Sequence, residues 1–203
     1  MVGRGGRVLE TATPDTGGAG VRPFLLTLVP EGTLWRVALV VFGTALLALA
    51  ARIEIPLPFS PVPVTGQTFA VLVLAAALGA RLGVATVTLY ILEGIVGLPV
   101  FAGGAAGLAR LTGPTGGYLV GFIVAAAIIG WAAERGWTMR VPTTVAAMLI
   151  GEAAIYAIGL AWLSRFPLPV GVLEAGLYPF IAGDVYKIAL AVAVLPLITR
   201  KTS

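Results

Sequence analysis

Six apolar runs, each close to the length needed to cross a bilayer, fill most of this chain: residues 34–51, 67–80, 82–100, 118–133, 141–163 and 176–198. In hydrocarbon every backbone N–H and C=O must find a partner within the protein, so runs of this kind fold as helices packed on one another. A spanning helix takes about 20 residues, within a range of about 17 to 25. The second run is short by that measure unless it takes in residues 61–66, and the fourth is marginal. Little more than Gly79-Ala80-Arg81-Leu82-Gly83 separates the second run from the third. One continuous helix through that stretch would leave Arg81 in the hydrocarbon, so a tight antiparallel hairpin is expected instead. The expected fold is an all-α integral membrane protein, a compact bundle of six transmembrane helices.

Composition supports a bilayer as the solvent. Charged residues make up 11% of the chain and hydrophobic ones 59%, where a soluble domain averages about 25% charged. The net charge of +4 does not read as a nucleic-acid surface, because the basic residues stand at the ends of the apolar runs. Arg4, Arg7, Arg22, Arg36, Arg81, Arg135, Arg140, Arg200 and Lys201 fall on one side of the expected membrane, and only Arg52, Arg110 and Arg165 on the other. That bias puts both termini in the cytoplasm and the protein in the cytoplasmic membrane, as a multi-pass chain. Residues 1–33, rich in Gly and Thr, read as a mobile cytoplasmic tail with a short interfacial piece near 24–29; residues 34–198 form the membrane domain and 199–203 a second tail. The amino-terminal arginines are not followed by a short apolar core with a cleavage site, so no secretory signal is read there. The chain has no cysteine and no histidine. Disulfides, thiol chemistry, haem and most zinc sites are excluded, and no cofactor or metal is expected.

The charges inside the apolar runs are the candidates for chemistry. Asp184 and Lys187 stand three apart in the last run, just under one helical turn, so both project from nearly one face. A charge at mid-bilayer depth costs about 3 kcal/mol on insertion scales, so such residues face a partner or a polar cavity. Two readings stay open here: a ligand site, and a pair that neutralises itself at a helix interface. Glu93 and Glu152 are the other intramembrane carboxyls, with no metal-ligand cluster and no protease signature around them.

Long loops at 52–66, 101–117 and 164–175 fall on the outer side. The first holds Pro56, Pro58, Pro61 and Pro63, which favour a rigid, extended strap fit to cap a cavity, and it delivers Gln67 and Thr68 to a helix mouth. The second is glycine-rich, which permits close backbone approach to a ligand, and Phe101 and Tyr118 bracket it. A plain re-entrant turn without a ligand is the alternative for that loop. Nothing in it matches a phosphate-binding loop.

Four fragments, in order, carry a resemblance: PVPVTGQTFAVLVLAAALG at 61–79, LYILEGIVGLPVFAGG at 89–104, GPTGGYLVGF at 113–122 and GDVYK at 183–187. Together they resemble the BioY family, the biotin-specific substrate-binding subunits, or S components, of energy-coupling factor transporters. The resemblance spans residues 34–198. It implies a six-helix bundle that binds biotin near the outer face under its loops, and partners in the form of a membrane coupling subunit and two cytoplasmic ATPases. The family's Asp-x-x-Lys falls on Asp184 and Lys187, its glycine-rich loop on Phe101, Ala102, Gly103 and Gly104, its Gly-Tyr on Gly117 and Tyr118, and its Val-Thr-Gly-Gln on 64–67. The ligand-binding residues expected are Asp184, Lys187, Gln67, Tyr90, Phe101, Gly103, Gly104 and Tyr118. Family members carry an apolar residue where Glu93 stands. Three functions compete: the binding subunit of a multi-subunit vitamin importer, a self-sufficient ion-coupled carrier, and a small intramembrane enzyme.

Overall fold

A computed structural model describes residues 21–199. Arg4, Arg7, Arg200 and Lys201 of the expected topology signal, with residues 1–20 and 200–203 of the tails, lie outside the described residues. The elements are α1 (Phe24–Thr27), α2 (Thr33–Arg52), β1 (Glu54–Leu57), β2 (Ser60–Thr65), α3 (Gln67–Ile95), α4 (Leu108–Thr112), α5 (Gly116–Glu134), α6 (Val141–Leu163), α7 (Val172–Gly176) and α8 (Tyr178–Thr199). Single 3-10 turns occur at Ala102–Gly104 and Trp137–Met139. Among the described residues, five helical stretches are long and apolar enough to cross a membrane: α2, α3, α5, α6 and the stretch Val172–Ala193. The protein is a multi-pass membrane protein.

The helix α3 is not straight. A straight helix would set Gln67 and Tyr90 about 35 Å apart, at 1.5 Å per residue, yet the Gln67 amide donates to the Tyr90 hydroxyl at 2.7 Å. The chain therefore doubles back between them. The reversal is at Gly79, whose φ of 79° and ψ of 175° leave the helical region. The freed Ala80 N–H is capped by Glu134 Oε1 at 2.9 Å. A Cβ at Gly79 would stand 2.6 Å from that same oxygen, so glycine serves both the backbone angle and the cap. Past the turn, Gly83 packs on Ala75 so closely that an added Cβ would lie 3.1 Å from its Cα. The arms run over 67–78 and 80–95, or about 18 and 24 Å of helix, each short of a hydrocarbon core of about 30 Å.

The strand β2 leads directly into the first arm, beside spanning segments that are helical. Residues 54–65 are not an extended strap but an antiparallel hairpin, with Glu54 opposite Thr65, Ile55 opposite Val64 and Leu57 opposite Ser60. A segment that leaves and re-enters the bundle at one end satisfies its backbone by pairing with itself. Pro58 takes the turn, and the register slips between Ile55 and Leu57, where Pro56 has no N–H to give.

Packing follows from small residues, since lipid removes most of the hydrophobic drive between helices. On α2 the buried stripe is Gly43, Thr44, Leu47 and Ala51, while Val37, Val41, Phe42 and Leu49 stay exposed. That is one helical face in and the rest out to lipid. Gly43 admits Thr86, with 2.6 Å from an added Cβ to its methyl. Gly121 lets α5 approach the Ile155 backbone of α6 in the same way, at 2.9 Å. The α1 turn falls inside the interfacial piece expected at 24–29.

Candidate functional site

The three loops expected on one side do meet at one end of the bundle. Arg52 donates to the Pro99 carbonyl at 2.7 Å, Trp162 Nε1 to the Gly113 carbonyl at 2.9 Å, and Ser60 Oγ to the Ala175 carbonyl at 2.6 Å. Beneath them lies a cavity of about 620 Å³, its open mouth included. Val62, Pro63 and Thr65 of β2 and Arg110 of α4 reach it from the loops, and Gln67 and Thr68 open α3 beside it. Phe101, Tyr118, Phe122, Tyr156 and Phe180 supply aromatic walls, and Lys187 of α8 supplies a charge.

Local sequence explains how these side chains are held. Gly94 leaves room for the Phe101 ring, which an added Cβ would overlap, and Phe101 then stands edge-on to Tyr90 at 5.6 Å. Gly159 leaves room for the Tyr118 ring, 2.6 Å from an added Cβ, and the Tyr118 hydroxyl ties α5 to the Gly176 carbonyl at 2.9 Å. Tyr118 and Phe180 flank Tyr156 with ring centres 6.5 and 6.4 Å away.

The polar core of the site is made of two hydrogen-bonded clusters. Lys187 Nζ donates to Asp184 Oδ1 at 2.9 Å and to Thr68 Oγ1 at 2.7 Å. Tyr156 donates its hydroxyl proton to the other carboxylate oxygen of Asp184. Both carboxylate oxygens are thus engaged, and the pair is well shielded, with side-chain exposures of 16% for Lys187 and 8% for Asp184. An ammonium has three protons and two are engaged, so one remains for the cavity. In the second cluster, Gln67 Oε1 accepts from Thr65 at 3.2 Å while its nitrogen donates to Tyr90, leaving one amide proton. Arg110 differs from Lys187: its guanidinium has no hydrogen bond or ion pair among the described residues.

Of the eight residues expected from sequence, Gln67, Phe101, Tyr118 and Lys187 line the cavity. Asp184 stands behind Lys187 rather than on the wall. Tyr90 is also behind it, fully buried, with its hydroxyl donating to the Val100 carbonyl at 2.9 Å. Gly103 and Gly104 do not reach the cavity: Gly103 is exposed above Glu54, and Gly104 abuts the Arg52 guanidinium. Both have φ of 69°, so their glycine character serves the turn and the hairpin contact. Glu93 does not edge the cavity either, but accepts from Thr44 at 3.1 Å on the α2 side. Tyr156, Phe180 and Arg110 also line the cavity, although the sequence singles out neither aromatic and Arg110 reads there as a topology charge. The signal for Arg110 was present: it is the one charge in a loop otherwise built of Phe, Gly, Ala, Pro, Leu and Thr. Tyr156 had a weaker one, lying one turn from Glu152 on the face that turns inward.

Similar proteins place this arrangement. The BioY family model matches residues 26–203. The biotin transporter BioY of Thermotoga maritima is 40% identical over 149 residues, 73% of this chain and 86% of that protein. The biotin transporter BioY of Rhizobium etli is 37% identical over 159 residues, 74% of this chain and 84% of its own length. Among solved structures, the crystal structure of the S-component for biotin from an ECF-type ABC transporter superposes with a TM-score of 0.68 at 26% identity, covering 84% of this chain and 94% of that one. With a family match over nearly its whole length and relatives of this identity, the chain belongs to the BioY family.

Proposed function

We propose that this chain binds biotin and serves as the substrate-binding subunit of an importer of the energy-coupling factor type. The observation that carries this reading is the charge balance of the cavity. Lys187 is matched by Asp184, while Arg110 is unmatched, so the site has room for one anionic group beside a largely apolar body. Biotin has that make-up: a ureido group with two donors and one acceptor, a thioether ring and one carboxylate. In this reading Arg110 meets the carboxylate with its planar fork. The remaining protons of Lys187 and Gln67 serve the ureido carbonyl, and Phe101, Tyr118, Tyr156 and Phe180 enclose the bicyclic ring. Asp184 and Tyr90 act by holding Lys187 and Gln67, and Gly103 and Gly104 by shaping the contact with the hairpin.

The same reading has six membrane spans, counting the two arms of α3 separately, with both termini in the cytoplasm and the cavity end outside the cytoplasmic membrane. A membrane coupling subunit and two cytoplasmic ATPases complete the machine. The relatives named above are transporters, which sets aside the intramembrane-enzyme alternative. An ion-coupled carrier working alone has one feature in its favour: Glu152, buried one turn from Tyr156, has neither carboxyl oxygen hydrogen-bonded among the described residues. Mass spectrometry of ligand released from the purified protein tests the substrate, and biotin is the expected species; another metabolite there, with no biotin uptake in cells, would sink the reading. Loss of uptake on collapsing the proton gradient at constant ATP would favour the carrier.

A further inference from the structure

At the end of the bundle away from the cavity lies a second cleft, of about 1030 Å³ with its mouth, between α1, the base of α2 and the α3 turn. Arg22, Arg36 and Arg81 line it. Arg22 is shared with Glu31 at 3.2 Å. The guanidinium groups of Arg36 and Arg81 have no hydrogen bond or ion pair among the described residues. The acid in the wall, Glu134, already accepts from the Ala80 N–H. The cleft thus presents more cation than the described residues neutralise. Its remaining wall is apolar, with Leu26, Leu78 and Leu82.

Depth decides what such a cleft meets. Arg36 lies three residues into α2 and Arg81 two residues past the reversal at Gly79, so both stand at the level of the helix ends. Beside Arg36, Leu34, Trp35 and Val37 are exposed, an apolar flank with the indole that marks a membrane interface. The mouth therefore faces the headgroup layer. A soluble anion would gain nothing from the leucine wall, whereas a lipid fills it with the start of its acyl chains. We propose that this cleft binds the phosphate of an anionic phospholipid, with Arg36 and Arg81 as the principal ligands and Leu26, Leu78 and Leu82 against its glycerol and upper acyl segments. Guanidinium and phosphate match in charge and in paired hydrogen-bond geometry. The inference requires only that the chain spans a membrane, and no residue of the cleft belongs to the cavity.

Native mass spectrometry of delipidated protein in detergent tests it, with phosphatidylglycerol, phosphatidylcholine and inorganic phosphate as separate titrants. Phosphatidylglycerol is expected to bind and to survive detergent removal, phosphatidylcholine not. A basic residue near a membrane surface changes anionic-lipid binding by roughly fivefold, so Arg36→Gln with Arg81→Gln should weaken phosphatidylglycerol about 25-fold. Arg165→Gln, at the opposite end, should leave it unchanged. Retained biotin binding in the double variant certifies its fold; Arg36→Gln alone, on an exposed helix face, gives the same test with a roughly fivefold loss. Equal retention of the two lipids, undiminished phosphatidylglycerol in either variant, or displacement of lipid by equimolar phosphate would each overturn the proposal. So would an acidic peptide that displaces the lipid at lower concentration than the lipid itself, since that assigns the cleft to a protein partner.

Discussion

Removing both charges of the Asp184–Lys187 pair separates its two possible jobs. Lys187→Met alone leaves a carboxylate, 6% exposed, with the Tyr156 hydroxyl as its remaining donor. Asp184→Asn alone leaves an ammonium with Thr68 as its one remaining partner of full hydrogen-bond quality. Breaking a buried pair from one side costs about 3–5 kcal/mol, because the survivor is an uncompensated charge. Removing both charges together is often neutral, so the double variant should melt close to the parent and well above either single variant. Affinity should not follow. The third proton of Lys187 faces the cavity, and losing a charge-assisted hydrogen bond costs about 1.5–3 kcal/mol, or roughly ten- to 150-fold in Kd. Melting curves by intrinsic fluorescence in detergent, paired with calorimetric biotin titrations, read the two quantities on the same samples. A double variant that melts like the parent and binds biotin like the parent refutes the ligand role, and the pair is then only a helix-interface neutraliser.

Arg110→Gln should leave melting unchanged, since its guanidinium holds nothing else, and weaken biotin by roughly ten- to 150-fold; the neutral biotin amide should lose far less, and equal losses for acid and amide would remove Arg110 from the carboxylate. Gly94→Val puts a branched side chain into the space of the Phe101 ring, so biotin affinity should fall at least tenfold; unchanged affinity in a folded variant would mean that Phe101 is not part of the ligand wall. For topology, the absence of native cysteine makes single-cysteine labelling clean. Ser164→Cys should react with an impermeant reagent in intact cells and Gly136→Cys only after lysis, and the reverse pattern inverts the proposed orientation.

Much of the fold could be read from where charge and glycine interrupt apolar sequence. The reversal at Gly79 is the clearest case: Arg81 made a continuous helix too costly, and the structure turns two residues before it. Its cap could not be read, because Glu134 lies 54 residues away from Ala80 and nothing local announces the meeting. The hairpin at 54–65 was misread for a related reason. Proline fixes φ equally in an extended strap and in a β edge, and only the partner strand tells them apart. For the site, Lys187 and Asp184 stood out because charge in an apolar run is rare, and Gln67 because it opens a helix. Tyr156 and Phe180 did not, since an aromatic residue in a membrane helix looks the same whether it faces lipid or a cavity. For Gly103 and Gly104 the backbone conformation is legible but its neighbours are not, and in the structure these are Glu54 and Arg52.

The closure of the cavity end is uneven, and the unevenness bears on how a ligand enters. The hairpin base is fixed by the Gly66 N–H on the Ile53 carbonyl at 2.9 Å and by an approach of Gly66 to Ala50 that admits no side chain, 2.9 Å from an added Cβ. The turn around Gly104 is held by Arg52, which is bonded to Pro99. Both are covalently close to spanning helices. By contrast, the hairpin tip is tied to the far side by one side-chain hydrogen bond, from Ser60 to Ala175, and the next carbonyl, of Gly176, takes the Tyr118 hydroxyl from inside the cavity. A typical hydrogen bond is worth only about 1 kcal/mol net, so this seam opens at small cost in hydrogen bonding. Adjacent carbonyls of α7 thus receive one bond from the lid and one from the cavity wall. A ligand that presses on Tyr118 and a hairpin that swings away both act on the same two residues of a five-residue helix. On the other side of the cavity, Lys187 of α8 donates to Thr68 in the first turn of α3, just past the end of β2. Under the proposed function, occupancy of the cavity is therefore expected to favour closure of the hairpin.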